Sequence, residues 1–256
     1  MAIESISPLY IEKMTFREVG AAIKEQPALI LPVGSIEPCT ESGTLGVASL
    51  TCFAMANALS KKKNILLAPM INYGYSVAFK SFPGCAAISR RTLIAVLRGI
   101  VSSWKWQGIK RFIILDGTSG SADALNEALK GLFAKDKSSS CRVLDWNRKD
   151  VDDFIARQNN GTEFGRSQFG LLSMVSYLDP DYVRKPLSDG ALPLKIDFKD
   201  FLRWRKTGQD PEKFRKLFPD ARTSSIAYAF SPEFGKELFF HIIGIFENEI
   251  ALELKI

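Results

Sequence analysis

Glu37, Cys39, Glu41 and Ser42 stand together in one stretch, Leu31-Pro-Val-Gly-Ser-Ile-Glu37-Pro-Cys39-Thr-Glu41-Ser42-Gly-Thr-Leu-Gly46. Carboxylates can move protons, a thiol can attack a carbonyl carbon, and hydroxyls can donate to developing negative charge. A second polar stretch, Asp116-Gly-Thr118-Ser119-Gly-Ser121, adds a further carboxyl, more hydroxyls and backbone N–H groups at the start of a helical pattern. Such N–H groups receive an anion or an oxyanion. Cys39 is the sharpest nucleophile in this set if amides or Lys80 lower its pKa, and an inert thiol if Pro38 and the neighbouring carboxylates keep it protonated.

Both stretches leave apolar runs, 28–33 and 112–115, and both lead into helical patterns. Repeated strand-to-helix steps of this kind predict an α/β protein with a mostly parallel central sheet flanked by helices in three layers. In open α/β sheets, ligands sit at the C-terminal ends of the strands, so two polar strand-end loops define one candidate pocket. The run 64–69 predicts another strand, and the aromatic, irregular 71–86, with Tyr75 and Lys80, a pocket wall. Ser89 precedes apolar residues at 93, 96, 97, 100, 101 and 104, an amphipathic helix. Thr15-Phe-Arg-Glu18 has the form of a capping box, 141–146 reads as a strand, and 150–158 and 164–178 read as helices. Ser231-Pro-Glu233 opens a last helix reaching about residue 252. The region 187–230 reads as a lid, an oligomer-contact insertion or a surface excursion.

Composition bounds the chemistry. The 256 residues, 46% of them hydrophobic, suit a single domain over 1–256 with a sizeable core. Four separated cysteines without a C-x-x-C pair, and no secretory signal, predict reduced thiols in a cytoplasmic protein. No apolar run is long enough to cross a membrane. The net charge of +6 is spread in small groups such as Lys61-Lys-Lys63, which predicts solvated basic faces and no specific nucleic-acid partner. The single histidine, His241, lies in an apolar run and reads as a packed helix residue, so no histidine-rich metal site can be assembled.

The first stretch resembles the creatininase family, metal-dependent creatinine amidohydrolases and their relatives, whose matching segment reads Gly-Ser-x-Glu-Gln-His-Gly-Pro-His-Leu-Pro-Leu-Gly-Thr-Asp. Tyr73-Gly-Tyr-Ser76 is similar to that family's Tyr-Gly-x-Ser, Phe82-Pro-Gly84 to its Phe-Pro-Gly-Thr, and Asp116-Gly-Thr-Ser-Gly-Ser121 to its Asn-Gly-His-Gly-Gly-Asn. A weaker likeness covers 166–183. The resemblance implies a creatininase-like fold and a homo-oligomer, hexameric in the family. It also implies that a paired metal site, where the family has one, falls here on Glu37, Cys39, Ala48 and Thr118, and that a later family His falls on Arg166. Glu37 alone keeps the family's ligand type, and Glu37 with Cys39 is too little to hold two ions, so no metal and no other cofactor is expected.

The surviving groups are then Glu37, Cys39, Thr118 and Ser119 for chemistry, and Glu41, Ser42, Tyr75, Lys80, Asp116 and Arg166 for binding a small polar molecule. They suit a repurposed, metal-independent enzyme acting on an amide, lactam or related carbonyl group, by hydrolysis or cyclisation. Two further readings stand beside it: an inactive homologue serving as partner or regulatory subunit of an active enzyme, and a small-ligand binder.

Overall fold

The computed structural model describes residues 5–118, 121–134, 136, 138–158, 166–184, 210–221 and 230–254. Four strands, β1 (Ala28–Val33), β2 (Leu66–Leu67), β3 (Arg111–Asp116) and β4 (Ser140–Asp145), form one sheet in the order β2-β1-β3-β4, every pair parallel. Helix α1 (Phe16–Glu25) precedes β1, α2 (Val47–Lys63) joins β1 to β2, α3 (Arg90–Trp106) joins β2 to β3, and α4 (Ala122–Phe133) joins β3 to β4. The chain then continues through α5 (Lys149–Gln158), α6 (Arg166–Leu178), α7 (Pro211–Leu217) and α8 (Pro232–Leu254).

Alternation along the strands sorts the layers. Leu29, Leu31, Val33, Phe112 and Ile114 are buried with Leu93, Leu97 and Val101 of α3 and Leu125 and Leu129 of α4. Ile30, Ile113 and Leu115 face the other way, among Cys52, Met55 and Leu59 of α2, Phe169 and Met174 of α6, and Leu238, Ile242 and Phe246 of α8. A strand covered on both faces reads as a continuous apolar run, which is why Ala28–Val33 shows no polar alternation. Each such side chain contributes about 1.5–3 kcal/mol through burial.

The capping box forms as its spacing predicts, with the Thr15 side chain accepting from Glu18 N and the Glu18 carboxylate from Thr15 N. Ser89 likewise caps α3. His241 stacks on Phe154, ring centroids 4.1 Å apart and planes 11° from parallel, a packed helix residue. The run 64–69 yields only a two-residue strand, because β1 carries Pro32, which has no N–H for the ladder on the β2 side. Pairing there slips by one: Ala68 N donates to Ile30 O at 2.8 Å, but the next bond runs from Ile71 N to Pro32 O at 3.0 Å. Three residues on one side oppose two on the other, a bulge.

Of the region 187–230, residues 187–209 and 222–229 lie outside the described residues. Residues 210–221 carry α7, whose Phe214 is buried against Phe79 and Phe82. Among the described residues no helix is long and apolar enough to cross a membrane.

Candidate functional site

β1 connects to β2 on its one side through α2, whereas β2 returns across β1 to β3 through α3 on the opposite face of the sheet. Strand order therefore reverses between β1 and β3, the crevice where parallel sheets receive ligands. Three loops converge there. A Cβ on Gly74 would stand 2.6 Å from Gly34 O, 3.0 Å from Thr118 Cγ2 and 3.3 Å from Ser35 Cβ, so the loops after β1, β2 and β3 touch only because residue 74 has no side chain.

The β3 loop builds itself. Asp116 Oδ1 accepts from Thr118 N at 2.9 Å, Thr118 Oγ1 lies 2.9 Å from Asp116 Oδ1 and 2.6 Å from Ser121 Oγ, and Ser121 N donates to Thr118 Oγ1 at 3.1 Å. This is ordinary Asx and hydroxyl turn chemistry ahead of a helix. The other oxygen, Asp116 Oδ2, is buried without a hydrogen-bond partner among the described residues. Strand register sets Asp145 directly beside Asp116, its own Oδ1 accepting from Asn147 N and Nδ2. Burial above all, then the charge of Asp145, push the Asp116 carboxyl up to about 8, against the opposing bonds from Thr118 and with a small further rise from Glu37. At neutral pH Asp116 is mostly a neutral acid, able to donate from Oδ2.

The β1 loop is held from outside. Ala86 N donates to Ile36 O at 3.1 Å, Glu37 N to Leu45 O at 3.1 Å, Thr44 N to Tyr182 O at 2.9 Å and Arg184 N to Ser42 O at 2.6 Å. Glu37 is half-buried at the inner end of this loop. Cys39 is 5% exposed and packs with Val47 and with Leu172 and Val175 of α6, and burial, reinforced by Glu37, pushes its thiol up to about 12. A thiol so placed rests protonated and packs as part of the core. Thr40 takes a left-handed φ of 59° and its Oγ1 accepts from Ser42 N at 3.0 Å, a tight turn that leaves Glu41 exposed at the tip and Ser42 fully buried.

The structure thus brings Glu37, Asp116 and Thr118 to the switch point. It places Cys39, Glu41 and Ser42 in the clamped outer half of the first loop. Tyr75 is part-buried against the β1 face, Lys80 is exposed, Arg166 opens α6, and Ser119 lies outside the described residues. Four groups at these strand ends were not singled out from the sequence: Ser35, Ser76, Cys85 and Asp145. Cys85 comes directly after Phe82-Pro-Gly84 and Asp145 falls in the strand-like run 141–146, so both adjoin segments with a legible signal.

At the positions where the resemblance would put a metal pair, the donors do not fit one. Cys39 is turned among aliphatic side chains, Ala48 has no donor, and the Thr118 hydroxyl is occupied by Asp116 and Ser121. Among the described residues no three His, Cys, Asp or Glu side chains converge as an ion requires.

A family model described as Creatininase: Creatinine amidohydrolase matches residues 12–248. The chain is 24% identical over 115 residues to the creatinine amidohydrolase of Pseudomonas putida, a match covering 43% of this chain and 44% of that relative, so it spans less than half the length of the curated relative it matches. Among solved structures, a creatininase mutant of Zn-Zn type superposes with a TM-score of 0.77 at 20% identity over 97% of this chain and 99% of that one. A putative creatinine amidohydrolase from Bacteroides fragilis does so with a TM-score of 0.68 at 16% identity, over 96% of each chain. These likenesses carry the α/β fold, and the family model spans nearly the whole sequence: the chain belongs to the creatininase family, with its amidohydrolase-type fold.

Proposed function

We propose that this family member acts without a catalytic metal on the amide, lactam or related carbonyl group of a small polar molecule, by hydrolysis or cyclisation. Glu37 moves the protons, neutral Asp116 donates from Oδ2 to the substrate, and Thr118 is a positioning residue that holds Asp116. One observation carries this reading. Of the six buried side-chain oxygens without a hydrogen-bond partner among the described residues, three (Ser35 Oγ, Ser76 Oγ and Asp116 Oδ2) stand on the three loops that meet at the strand-order switch. An unsatisfied buried polar atom costs about 1–3 kcal/mol, and a ligand with complementary polar atoms would recover that cost. The family's homo-oligomeric assembly is part of the proposal, as is a reducing cytoplasm, which suits four free thiols.

The test is Glu37→Gln assayed against a panel of lactams and small amides. Loss of turnover by about 100-fold or more with an unchanged melting curve is the expected result. Turnover that survives the substitution ends the acid–base role, and a stoichiometric transition metal in active purified protein ends metal independence.

A non-catalytic reading, as partner subunit or ligand binder, gains from the turn at Thr40–Ser42, which the Thr40 hydroxyl closes by accepting from Ser42 N and which needs no substrate to form. Co-purification of a second chain in fixed ratio, with no turnover of the panel, would favour it.

A further inference from the structure

Among the four cysteines, Cys85 stands apart. Cys52 is 1% exposed, with its Sγ 3.4 Å from Leu115 O and 3.7 Å from Val33 O, and Cys39 is sealed beneath α6. Cys141 lies on β4, packed against the α4 side of the sheet. Cys85 is half-buried behind the exposed Pro83 and Gly84. The antiparallel bridge between Ile36 and Ala86 sets Glu37 alongside Cys85, the next residue on each side of that pair. Gly84, at φ 81°, makes the turn that delivers the thiol, and a Cβ there would also stand 2.5 Å from Leu45 Cδ1.

A second observation points to a ligand at this place. Ser76 is 5% exposed and its Oγ has no hydrogen-bond partner of normal geometry among the described residues, yet its hydroxyl lies close enough to Cys85 to favour the thiolate. Burial first, then the charge of Glu37, outweigh that hydroxyl and push the Cys85 thiol up to about 11, so it rests protonated and needs a base beside it. The loop is braced from outside by α7: Ser81 Oγ donates to Pro211 O at 2.6 Å and Arg215 Nη1 donates to Ser81 O at 2.8 Å.

We infer that Cys85 is the nucleophile of this site, with Glu37 as its base and the Ser76 hydroxyl as donor to the carbonyl oxygen. The inference rests on the reading that the site acts on a carbonyl group, and it supplies the attacking atom that reading lacks. A thiol attacks once its proton has gone. Glu37 takes the Sγ proton as Sγ bonds to the carbonyl carbon, and the C=O π electrons move to oxygen, where Ser76 donates. Collapse of the adduct breaks the C–N bond, and Glu37 gives its proton to the departing nitrogen. The thioester is then opened by water: Glu37 takes a water proton as hydroxide adds, the C–S bond breaks, and Glu37 returns the proton to sulfur. The sum is amide plus water giving acid plus amine, with no oxidant or further reactant.

The full chain is incubated with p-nitrophenyl acetate near neutral pH, nitrophenol release is followed, and the acylated residue is mapped by mass spectrometry. The expected result is one acetyl group per chain on Cys85, removable by hydroxylamine, with a burst reduced about 100-fold in Glu37→Gln. Cys85→Thr, which installs the residue of the family's Phe-Pro-Gly-Thr, should abolish the adduct without changing the melting curve. An undiminished burst in Cys85→Thr, or acetyl found only on other residues, overturns the inference. The lactam and amide panel separates the two readings. Turnover lost in Glu37→Gln but kept in Cys85→Thr leaves carbonyl chemistry standing and removes the thiol. A Cys85 thioester without turnover of any panel member keeps the nucleophile and removes amide hydrolysis.

Discussion

The loop that leaves β3 makes its own hydrogen bonds within six residues, whereas the loop that leaves β1 is held by segments as distant in sequence as Ala86 and Tyr182–Arg184. Both are polar strand-end loops, and composition does not tell them apart. What separates them is where the partners come from. The β3 loop spends its polarity on its own turn and leaves one carboxyl oxygen without a partner among the described residues. The outer β1 loop is closed by the Thr40 hydroxyl and positioned by α6, leaves the Ser42 and Thr44 hydroxyls without partners among the described residues, away from any carboxylate of the switch point, and contributes Glu37 at its inner end. Polarity in a loop is therefore weak evidence of a site, while an unpartnered polar atom beside a half-buried carboxylate is stronger evidence.

Three perturbations would sharpen or break this contrast. Asp116 should give the largest effect. Its folded-state pKa stands above its unfolded one, so the stability that its neutral form confers is complete below about pH 4 and is lost as pH rises through about 8. At pH 7 the loss is on the order of 4 kcal/mol, from about 1.4 kcal/mol per pH unit. Asp116→Asn should flatten that slope in urea denaturation followed across this range; parallel curves for the two proteins would show that the carboxyl is not strained.

Leu172→Ala should come next. Leu172 is fully buried beneath Cys39, and its truncation should cost about 3 kcal/mol. The contrast further predicts that amide exchange quickens across 39–44 and not across the β3 loop. Equal quickening in both loops would mean that they form one unit.

Thr118→Val should have the smallest effect, about 1 kcal/mol, because it removes one hydroxyl from the Asp116–Ser121 turn without opening a cavity. Its exchange signature should stay at the start of α4; spread into 36–45 would break the contrast.

These differences also mark what is legible in the chain before it folds. The strands and most helices can be read because their signals are local: the Thr15–Glu18 box, the Ser89 cap and the apolar stripe of α3 each occupy one short window. The sheet order places Asp116 and Thr118 as the strand-end rule implies. Cys39 was open to two readings because its burial is decided by Leu172 and Val175, more than a hundred residues downstream. Asp145 acquires meaning only through strand register, and Cys85 only through the Ile36–Ala86 bridge. None of these pairings has a periodicity for a sequence to display. The β2 strand fell short of its apolar run because Pro32, on a different strand, lacks the donor to extend it.

That proline also sets the parity of the loop beyond β2. Along extended backbone, successive side chains point to opposite faces, so the one-residue slip between Ala68 and Ile71 inverts the facing of the chain as it leaves the sheet. Gly74 then meets Gly34 and Thr118, and Ser76 and Cys85 come after it on the loop that crosses the strand ends. A deletion of one residue at 69–70 would remove the extra residue opposite Pro32 and deliver the opposite set of side chains to the switch point.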